Sequence, residues 1–206
     1  MSEEPTSDDI VFYWNPRSRA QMAHWMLEET GASYRKVLID FEKNEQKAPD
    51  FLKINPMGKL PTIVHLGTVV TETAAIIAYL ADAFPQAGLA PAPGDAQRGA
   101  YYRWLFFGAG CFEPALLDTM MKRPPVERKM AVGWGSYEDV LSTLKTALTT
   151  GPYLLGDKFT AADVYIGSEL GWAMMFGAPN LKGETVFDDY VARVQARPAY
   201  KRATAG

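Results

Sequence analysis

The sequence has few of the residues from which metal centres and disulfide sites are built. Its 206 residues include one cysteine and two histidines. An internal disulfide and a Cys-x-x-Cys redox pair are therefore excluded. A zinc site is not expected either, because zinc takes its protein ligands mainly from these two residue types. We predict a protein without a metal cofactor.

The sequence also lacks an excess of one charge and a long apolar run. Lys and Arg number 21 against 24 Asp and Glu, a formal net charge of -3, which gives no field that would attract nucleic acid. No apolar run reaches the roughly 18 residues of a membrane helix. The opening MSEEPTSDD has neither the basic nor the apolar region of a signal peptide. We expect a cytoplasmic protein without a membrane partner, in which residues 1–9 form an acidic arm.

What the sequence does have is a mixed pattern of strands and helices over residues 10–84. The 48% hydrophobic content is enough to build a core. The predicted order is strand, helix, strand, short helix, two strands joined by a turn, and helix. This order places a parallel βαβ unit beside an antiparallel ββα unit, which is a thioredoxin-like α/β arrangement. The corresponding segments are IVFYW, RSRAQMAHWMLEETG, SYRKVLID, APDFLKIN, TIVHLGTVV and TETAAIIAYLADAF.

The texture of the sequence changes after this first segment. Residues 85–96 are rich in proline and glycine and offer little to bury, so they are predicted to be a linker. Residues 97–206 have helical periodicity only, which predicts an all-helical C-terminal bundle. The fold class predicted for the whole chain is α/β plus all-α, a thioredoxin-like N-terminal domain followed by a helical domain.

The clearest local motif is FTAADVY at the start of a predicted helix. Thr160 can cap the helix, and Asp163, three residues later, can accept a hydrogen bond from the capping residue's own N–H. Phe159 can pack on Val164 as a hydrophobic staple. This capping box stabilises the fold and needs no ligand, and its loss should cost on the order of 1 kcal/mol or more.

The stretch NPMGKLPTIV is unusual, because a proline stands at the entrance to a strand, where it removes a backbone donor. Taken with the thioredoxin-like unit, the TETAAIIAYL segment, the linker and FTAADV, it resembles the cytosolic glutathione S-transferases over nearly the whole chain. The resemblance implies a cis Leu60–Pro61 bond. It also implies that Lys59, Leu60 and Pro61 receive glutathione, with Leu60 pairing to the cysteinyl backbone as an added strand would.

The same resemblance implies two further contacts with glutathione. Glu72 and Thr73, at a helix start that favours anions, would hold the γ-glutamyl end, although a threonine there could simply cap the helix. The thiol would meet a hydroxyl in FYWNPRSRAQ. Alignment with the serine-type classes favours Ser18, which we prefer. Alignment with the tyrosine-type alpha class favours Tyr13 with Arg19, and Asn15 is a further donor.

The activity implied by the resemblance is attack by the glutathione thiolate on an apolar electrophile. A hydrogen bond, a helix dipole and the charge of Arg19 would together lower the thiol pKa from near 8.5. The electrophile is expected beside apolar side chains of the helical domain, and the protein is expected to be a homodimer. Alternatives are a glutathione-dependent isomerase, dehalogenase or peroxidase, or a non-enzymatic binding protein. The candidate pocket residues are Tyr102, Phe106, Trp172 and Phe176.

Overall fold

The structure, a computed structural model, describes residues 10–205. The acidic arm predicted for residues 1–9 lies outside the described residues. The chain divides into two compact units. The first extends to Ala87 and also takes in the chain from Pro198 onwards, and the second is Gly88–Arg197. The domain boundaries drawn from the sequence stay a prediction.

The first unit is built on a four-stranded sheet with the order β2-β1-β3-β4. Strands β1 and β2 are parallel, whereas β3 runs antiparallel to both β1 and β4. A parallel βαβ unit therefore shares its sheet with an antiparallel ββα unit, and the predicted thioredoxin-like arrangement is confirmed. The elements are β1 (Ile10–Trp14), α1 (Ala20–Thr30), β2 (Tyr34–Leu38), α2 (Pro49–Ile54), β3 (Thr62–His65), β4 (Thr68–Thr71) and α3 (Thr73–Ala83).

Successive side chains of strand β1 point to opposite faces of the sheet. Phe12 is fully buried and its ring lies 6.1 Å from that of His24 in α1. Tyr13 points to the opposite face, where its ring lies 5.6 Å from that of Phe51 in α2. The alternation thus separates a core side chain from one that can serve a site.

The second unit is entirely helical apart from isolated bridges in the loop before α7, as the sequence predicted. Helices α4 and α5 are joined without a break by a π-helical turn over Gly108–Phe112. The last helix, α9, belongs to the first unit, where it packs on α1. The helices are α4 (Arg98–Phe107), α5 (Glu113–Met120), α6 (Tyr137–Leu148), α7 (Ala161–Met175), α8 (Thr185–Gln195) and α9 (Pro198–Thr204). None of the described helices is long and apolar enough to cross a membrane.

A glycine permits the close approach of the π-helical turn to α7. A Cβ atom on Gly108 would lie 2.6 Å from a ring carbon of Tyr165. Gly110, in the same turn, has open space where its Cβ would be. Steric contact therefore fixes the identity of the first glycine and not of the second.

We expect Gly108→Ala to lower the free energy of unfolding by about 2 kcal/mol, because overpacking of a filled core forces neighbouring groups to move. Gly110→Ala is the matched control, and it should be neutral or slightly stabilising since alanine favours helices. Urea denaturation of both variants measures the difference. Equal stability of the two variants would contradict this account.

The start of α7 carries the predicted cap and additional contacts. The carboxylate of Asp163 accepts hydrogen bonds from the N–H of Thr160 at 2.9 Å and from its hydroxyl at 3.1 Å. The other carboxylate oxygen accepts from the N–H of Leu154 at 2.9 Å and from the hydroxyl of Tyr190 at 3.0 Å. Asp163 is completely buried, so one side chain joins the loop before α7, the start of α7 and α8.

Helix α9 is attached to α1 by an aromatic contact and an ion pair. The ring of Tyr200 meets that of Trp25 edge-on at 5.0 Å. Arg202 donates to the Glu28 carboxylate at 2.7 Å and to the Glu28 carbonyl at 2.9 Å. These contacts return the C-terminal part of the chain to the sheet-containing unit.

Candidate active site

The register of the sheet brings three loops of the first unit to one edge. Tyr13 pairs with Thr62 of β3, and Thr62 pairs with Thr71 of β4. Directly beyond this row of residues lie the β1–α1 loop, the residues that precede β3 and the start of α3. The sequence motifs at Ser18, Leu60 and Glu72, which are far apart in the chain, therefore lie at the same edge of the sheet.

Asn15 holds the β1–α1 loop in shape. Its side-chain amide donates to the carbonyl of Ile39 at 2.8 Å, and its side-chain oxygen accepts from the N–H of Arg17 at 2.9 Å. The side chain is 5% exposed. These bonds attach the loop to the end of β2, which gives Asn15 a structural role beside the ligand contact expected for it.

The hydroxyl of Ser18 is engaged with the backbone at the start of α1. It donates to the carbonyl of Asn15 at 2.7 Å and accepts from the N–H of Ala20 at 3.2 Å. To donate to a sulfur atom, the hydroxyl must rotate away from that carbonyl. The N–H groups of the first turn of α1 lie beside it and favour a negative charge there.

Tyr13 and Arg19 flank this serine along the chain. The half-buried hydroxyl of Tyr13 forms no hydrogen bond within the described residues, so it can donate without breaking an existing bond. Arg19 stands at the boundary of α1, and its carbonyl accepts from the N–H of Met22 at 3.0 Å. The choice between Ser18 and Tyr13 as the thiol's partner stays a prediction.

The residues before β3 form a loop that ends in a cis peptide bond. The bond between Leu60 and Pro61 is cis, which confirms the expectation from the resemblance. Pro61 is buried, Leu60 is half-buried and Lys59 is exposed. Within the described residues neither backbone group of Leu60 forms a hydrogen bond. A free donor and a free acceptor at a sheet edge can pair with an extended peptide.

Two buried side chains that sequence reasoning missed fix the shape of this loop. The amide of Asn55 donates to the carbonyl of Lys59 at 2.9 Å and to the hydroxyl of Thr62 at 3.0 Å. The hydroxyl of Thr62 in turn donates to the Lys59 carbonyl at 3.2 Å. An asparagine before proline is a turn signal, and only that signal was available in the sequence.

The start of α3 offers an anion site with a strained residue at its cap. Glu72 precedes the first helical residue and has φ 66° and ψ 121°, a left-handed backbone that a non-glycine residue rarely adopts. Its side chain is exposed and accepts a long hydrogen bond, 3.3 Å, from the hydroxyl of Thr71. The hydroxyl of Thr73, the first residue of α3, forms no hydrogen bond within the described residues.

The aromatic candidates lie in the second unit, in two pairs. Tyr102 and Phe106 are one turn apart on α4 and are 40% and 71% exposed. Tyr102 accepts a hydrogen bond from Arg98 at 2.9 Å. The ring of Trp172 on α7 lies 4.9 Å from that of Phe176, which is 56% exposed. Three of these four side chains therefore present aromatic surface to solvent.

Metal ligands are not grouped in the part of the chain that the structure describes. Among residues 10–205, no three His, Cys, Asp or Glu side chains are close enough together to hold an ion.

Comparison with known proteins agrees with this geometry. Residues 10–82 match the family model for the glutathione S-transferase N-terminal domain, and residues 135–198 match that for the C-terminal domain. The chain is 28% identical to glutathione S-transferase GstA of Escherichia coli O157:H7 over 94% of this chain and 96% of that protein. It is 32% identical to the probable glutathione S-transferase GSTF2 of Oryza sativa subsp. japonica over 68% of each.

A solved structure shows the same likeness in three dimensions. The glutathione S-transferase of a sphingomonad, determined in complex with glutathione, superposes with a TM-score of 0.77 at 28% identity, covering 95% of this chain and 97% of that one. The fold, the cis bond at the sheet edge and the family models define a class of protein. The chain belongs to the glutathione S-transferase family.

Proposed function

We propose that this protein binds glutathione at the sheet edge of its first unit, activates the thiol as a thiolate, and transfers it to apolar electrophiles. The observation that carries the proposal is the row of paired residues Tyr13, Thr62 and Thr71. Around this row lie a hydroxyl that can activate the thiol, from Ser18 or Tyr13, the unpaired backbone groups of Leu60 and the start of α3. Glutathione has a matching thiol, peptide backbone and γ-glutamyl carboxylate.

The two ends of the site receive different parts of the ligand. The free N–H and C=O of Leu60 pair with the cysteinyl backbone, while Lys59 and Pro61 complete the edge. At the start of α3, the hydroxyl and N–H of Thr73 hold the γ-glutamyl carboxylate. The carboxylate of Glu72 binds the ammonium group, and its strained backbone sets the direction of its side chain.

The thiol lies at the junction of β1 and α1. A free thiol has a pKa near 8.5 and is mostly protonated at neutral pH. Lowering it by two units takes about 2.7 kcal/mol of preference for the thiolate, which a hydroxyl from Ser18 or Tyr13, the α1 dipole and Arg19 supply together. Asn15 contributes mainly by holding the loop. The thiolate sulfur then forms a bond to the electrophilic carbon, and the leaving group departs with the electron pair of the bond that breaks.

The electrophile contacts belong to the aromatic surface of the second unit. Tyr102, Phe106, Trp172 and Phe176 offer large, mostly exposed rings, which suits apolar substrates of varied shape. Isomerase, dehalogenase and peroxidase activities would use the same thiolate, but no residue of the site favours them over conjugation. A non-enzymatic role is not favoured either.

The proposal is tested by titrating the ultraviolet absorbance of the glutathione thiolate bound to the protein. The wild-type protein should lower the thiol pKa by about two units. If Ser18 donates, Ser18→Ala should return the thiol pKa most of the way to its free value and Tyr13→Phe should not, and the reverse holds if Tyr13 donates. Tyr79→Phe, a hydroxyl bonded to His65 at 2.8 Å, is the matched control. Glutathione that fails to bind, or binds with an unshifted thiol, would refute the proposal.

Two further proposals concern the oligomeric state of the protein and its location in the cell. We propose a homodimer, whose mass by light scattering should be near twice the 22.8 kDa of one chain. We also propose a cytoplasmic location, which cell fractionation tests directly. A mass of one chain at micromolar concentration would contradict the first expectation.

A further inference from the structure

The orientation of one peptide unit decides whether Leu60 can donate to a ligand. The carbonyl of Lys59 and the N–H of Leu60 belong to the same peptide plane. In a trans peptide these two groups point in opposite directions. The only cis bond among the described residues is the following one, between Leu60 and Pro61. Whatever holds the Lys59 carbonyl therefore also aims the Leu60 N–H.

The Lys59 carbonyl is held by a closed ring of three hydrogen bonds. It accepts from the Asn55 amide at 2.9 Å and from the Thr62 hydroxyl at 3.2 Å. The second amide hydrogen of Asn55 is donated to the Thr62 hydroxyl at 3.0 Å, so each donor in the ring is used once. Asn55 is 3% exposed and Thr62 is fully buried.

Asn55 is itself fixed from the other side. Its side-chain oxygen accepts from the N–H of Met57 at 3.0 Å, and its backbone carbonyl accepts from the N–H of Gly58 at 2.8 Å. Water cannot replace these partners easily because both side chains in the ring are buried. The ring thus has one geometry, and the peptide plane that it holds has one direction.

We infer that Asn55 and Thr62 are positioning residues for glutathione, which aim the Leu60 N–H out of the loop at the cysteinyl carbonyl of the ligand. This inference rests on the proposed glutathione binding. Neither side chain touches the ligand. Their action passes through the Lys59–Leu60 peptide, and it bears on the affinity for the peptide backbone rather than on the thiol.

Thr62→Val is the sharpest variant, because it keeps the shape of the side chain and removes one of the two donors to the Lys59 carbonyl. We expect the Kd for glutathione, measured by calorimetry, to rise roughly five- to tenfold. The pKa of the bound thiol should stay that of the wild-type protein, since the thiol lies at another loop. Thr62→Ser, which retains the donor, should restore the affinity to near the wild-type value.

Thr30→Val is the matched control for this change. Thr30 is a buried threonine of the same unit whose hydroxyl donates to the carbonyl of Leu27 at 2.7 Å, at the far end of α1. It should lose stability without losing affinity for glutathione. Asn55→Asp, which removes both amide donors and keeps the acceptor for Met57, should weaken binding more than Thr62→Val does.

The ligand-free protein gives a second readout that does not depend on glutathione. In ¹⁵N-labelled protein, the amide resonance of Leu60 should shift in Thr62→Val and return in Thr62→Ser, and it should not move in Thr30→Val. The inference is overturned if that resonance stays in place, or if Thr62→Val binds glutathione as tightly as the wild-type protein. A wild-type protein that does not bind glutathione would instead overturn the proposed function and leave the resonance test standing.

Discussion

Replacing Asp163 with alanine is expected to lower the free energy of unfolding by about 4 kcal/mol, a large effect for a single substitution. The variant leaves two buried backbone N–H groups, those of Leu154 and Thr160, and the hydroxyl of Tyr190 without their acceptor. Each buried donor that loses its partner costs about 1–3 kcal/mol. Partial entry of water keeps the total below the sum of these costs.

Urea denaturation at pH 7 measures the effect, and Asp188→Ala is its matched control. The carboxylate of Asp188 is also near a helix start, but it is more exposed and, within the described residues, accepts one hydrogen bond, from the N–H of Gly183 at 3.0 Å. Its loss should cost about 1 kcal/mol, the usual value for a helix cap. If the two variants lost equal stability, the cluster around Asp163 would stabilise the fold no more than an ordinary helix cap does.

Tyr190→Phe separates the contributions within the cluster. This variant removes the hydroxyl donor and keeps the two backbone donors bound to Asp163. We therefore expect a much smaller loss than for Asp163→Ala. The comparison shows whether the backbone bonds or the tyrosine bond dominate.

The same cluster shows how far the sequence could predict the fold. The spacing of Thr160 and Asp163 predicted the bond from Asp163 to the capping N–H, because both residues belong to one turn. It could not predict the bonds from Leu154 and Tyr190. They come from another loop and another helix, and only packing brings them there. The predicted cost was accordingly that of a lone cap.

The candidate site divides in the same way between local and non-local information. The motifs at Ser18, Leu60 and Glu72 could be found because each is a short run of characteristic residues. The register that pairs Tyr13 with Thr62 depends on long-range strand pairing, and no local pattern encodes it. Asn55 and Thr62 were missed because a buried amide and hydroxyl look like turn and strand residues in sequence.

A buried histidine should make the protein less stable in mild acid. Burial and the nearby charge of Lys36 lower the pKa of His24 from 6.5 to about 4, although Glu28 opposes the shift. His24 lies in α1, 2% exposed, and its Nε2 is 2.8 Å from the hydroxyl of Tyr34. That hydroxyl is shared with Glu28 at 2.5 Å, and Arg202 of α9 binds the same carboxylate.

The hydrogen bonds around His24 explain why its side chain is neutral in the folded protein. The single proton of the Tyr34 hydroxyl is donated to Glu28, so the tyrosine oxygen accepts from His24 and the imidazole proton is on Nε2. The other ring nitrogen, Nδ1, is buried and makes no hydrogen bond of good geometry within the described residues, although the backbone of Ala203 in α9 opposes the lowering of the pKa. A second proton there would place a charge in a buried position, close to Lys36.

The sign of the pH effect follows from these pKa values. The unfolded chain binds a proton at His24 near pH 6.5, whereas the folded protein does so only near pH 4. Between these values the unfolded state binds more protons, so the free energy of unfolding falls as the pH falls. The loss reaches about 3 kcal/mol at pH 4. Above pH 6.5 His24 is neutral in both the folded and the unfolded state, so the protein has none of this loss of stability.

His24→Gln isolates the contribution, because its amide can still donate to Tyr34 and does not titrate. Urea denaturation at several pH values from 7 to 5 should show wild-type stability falling with pH, while the variant, less stable at pH 7, changes much less. That window lies above the range in which ordinary carboxylates titrate. Parallel curves for the two proteins would mean that His24 is protonated alike in the folded and unfolded states. The contacts that join α9 to α1 through Tyr34, Glu28 and Arg202 would then not be weakened by protonation of His24.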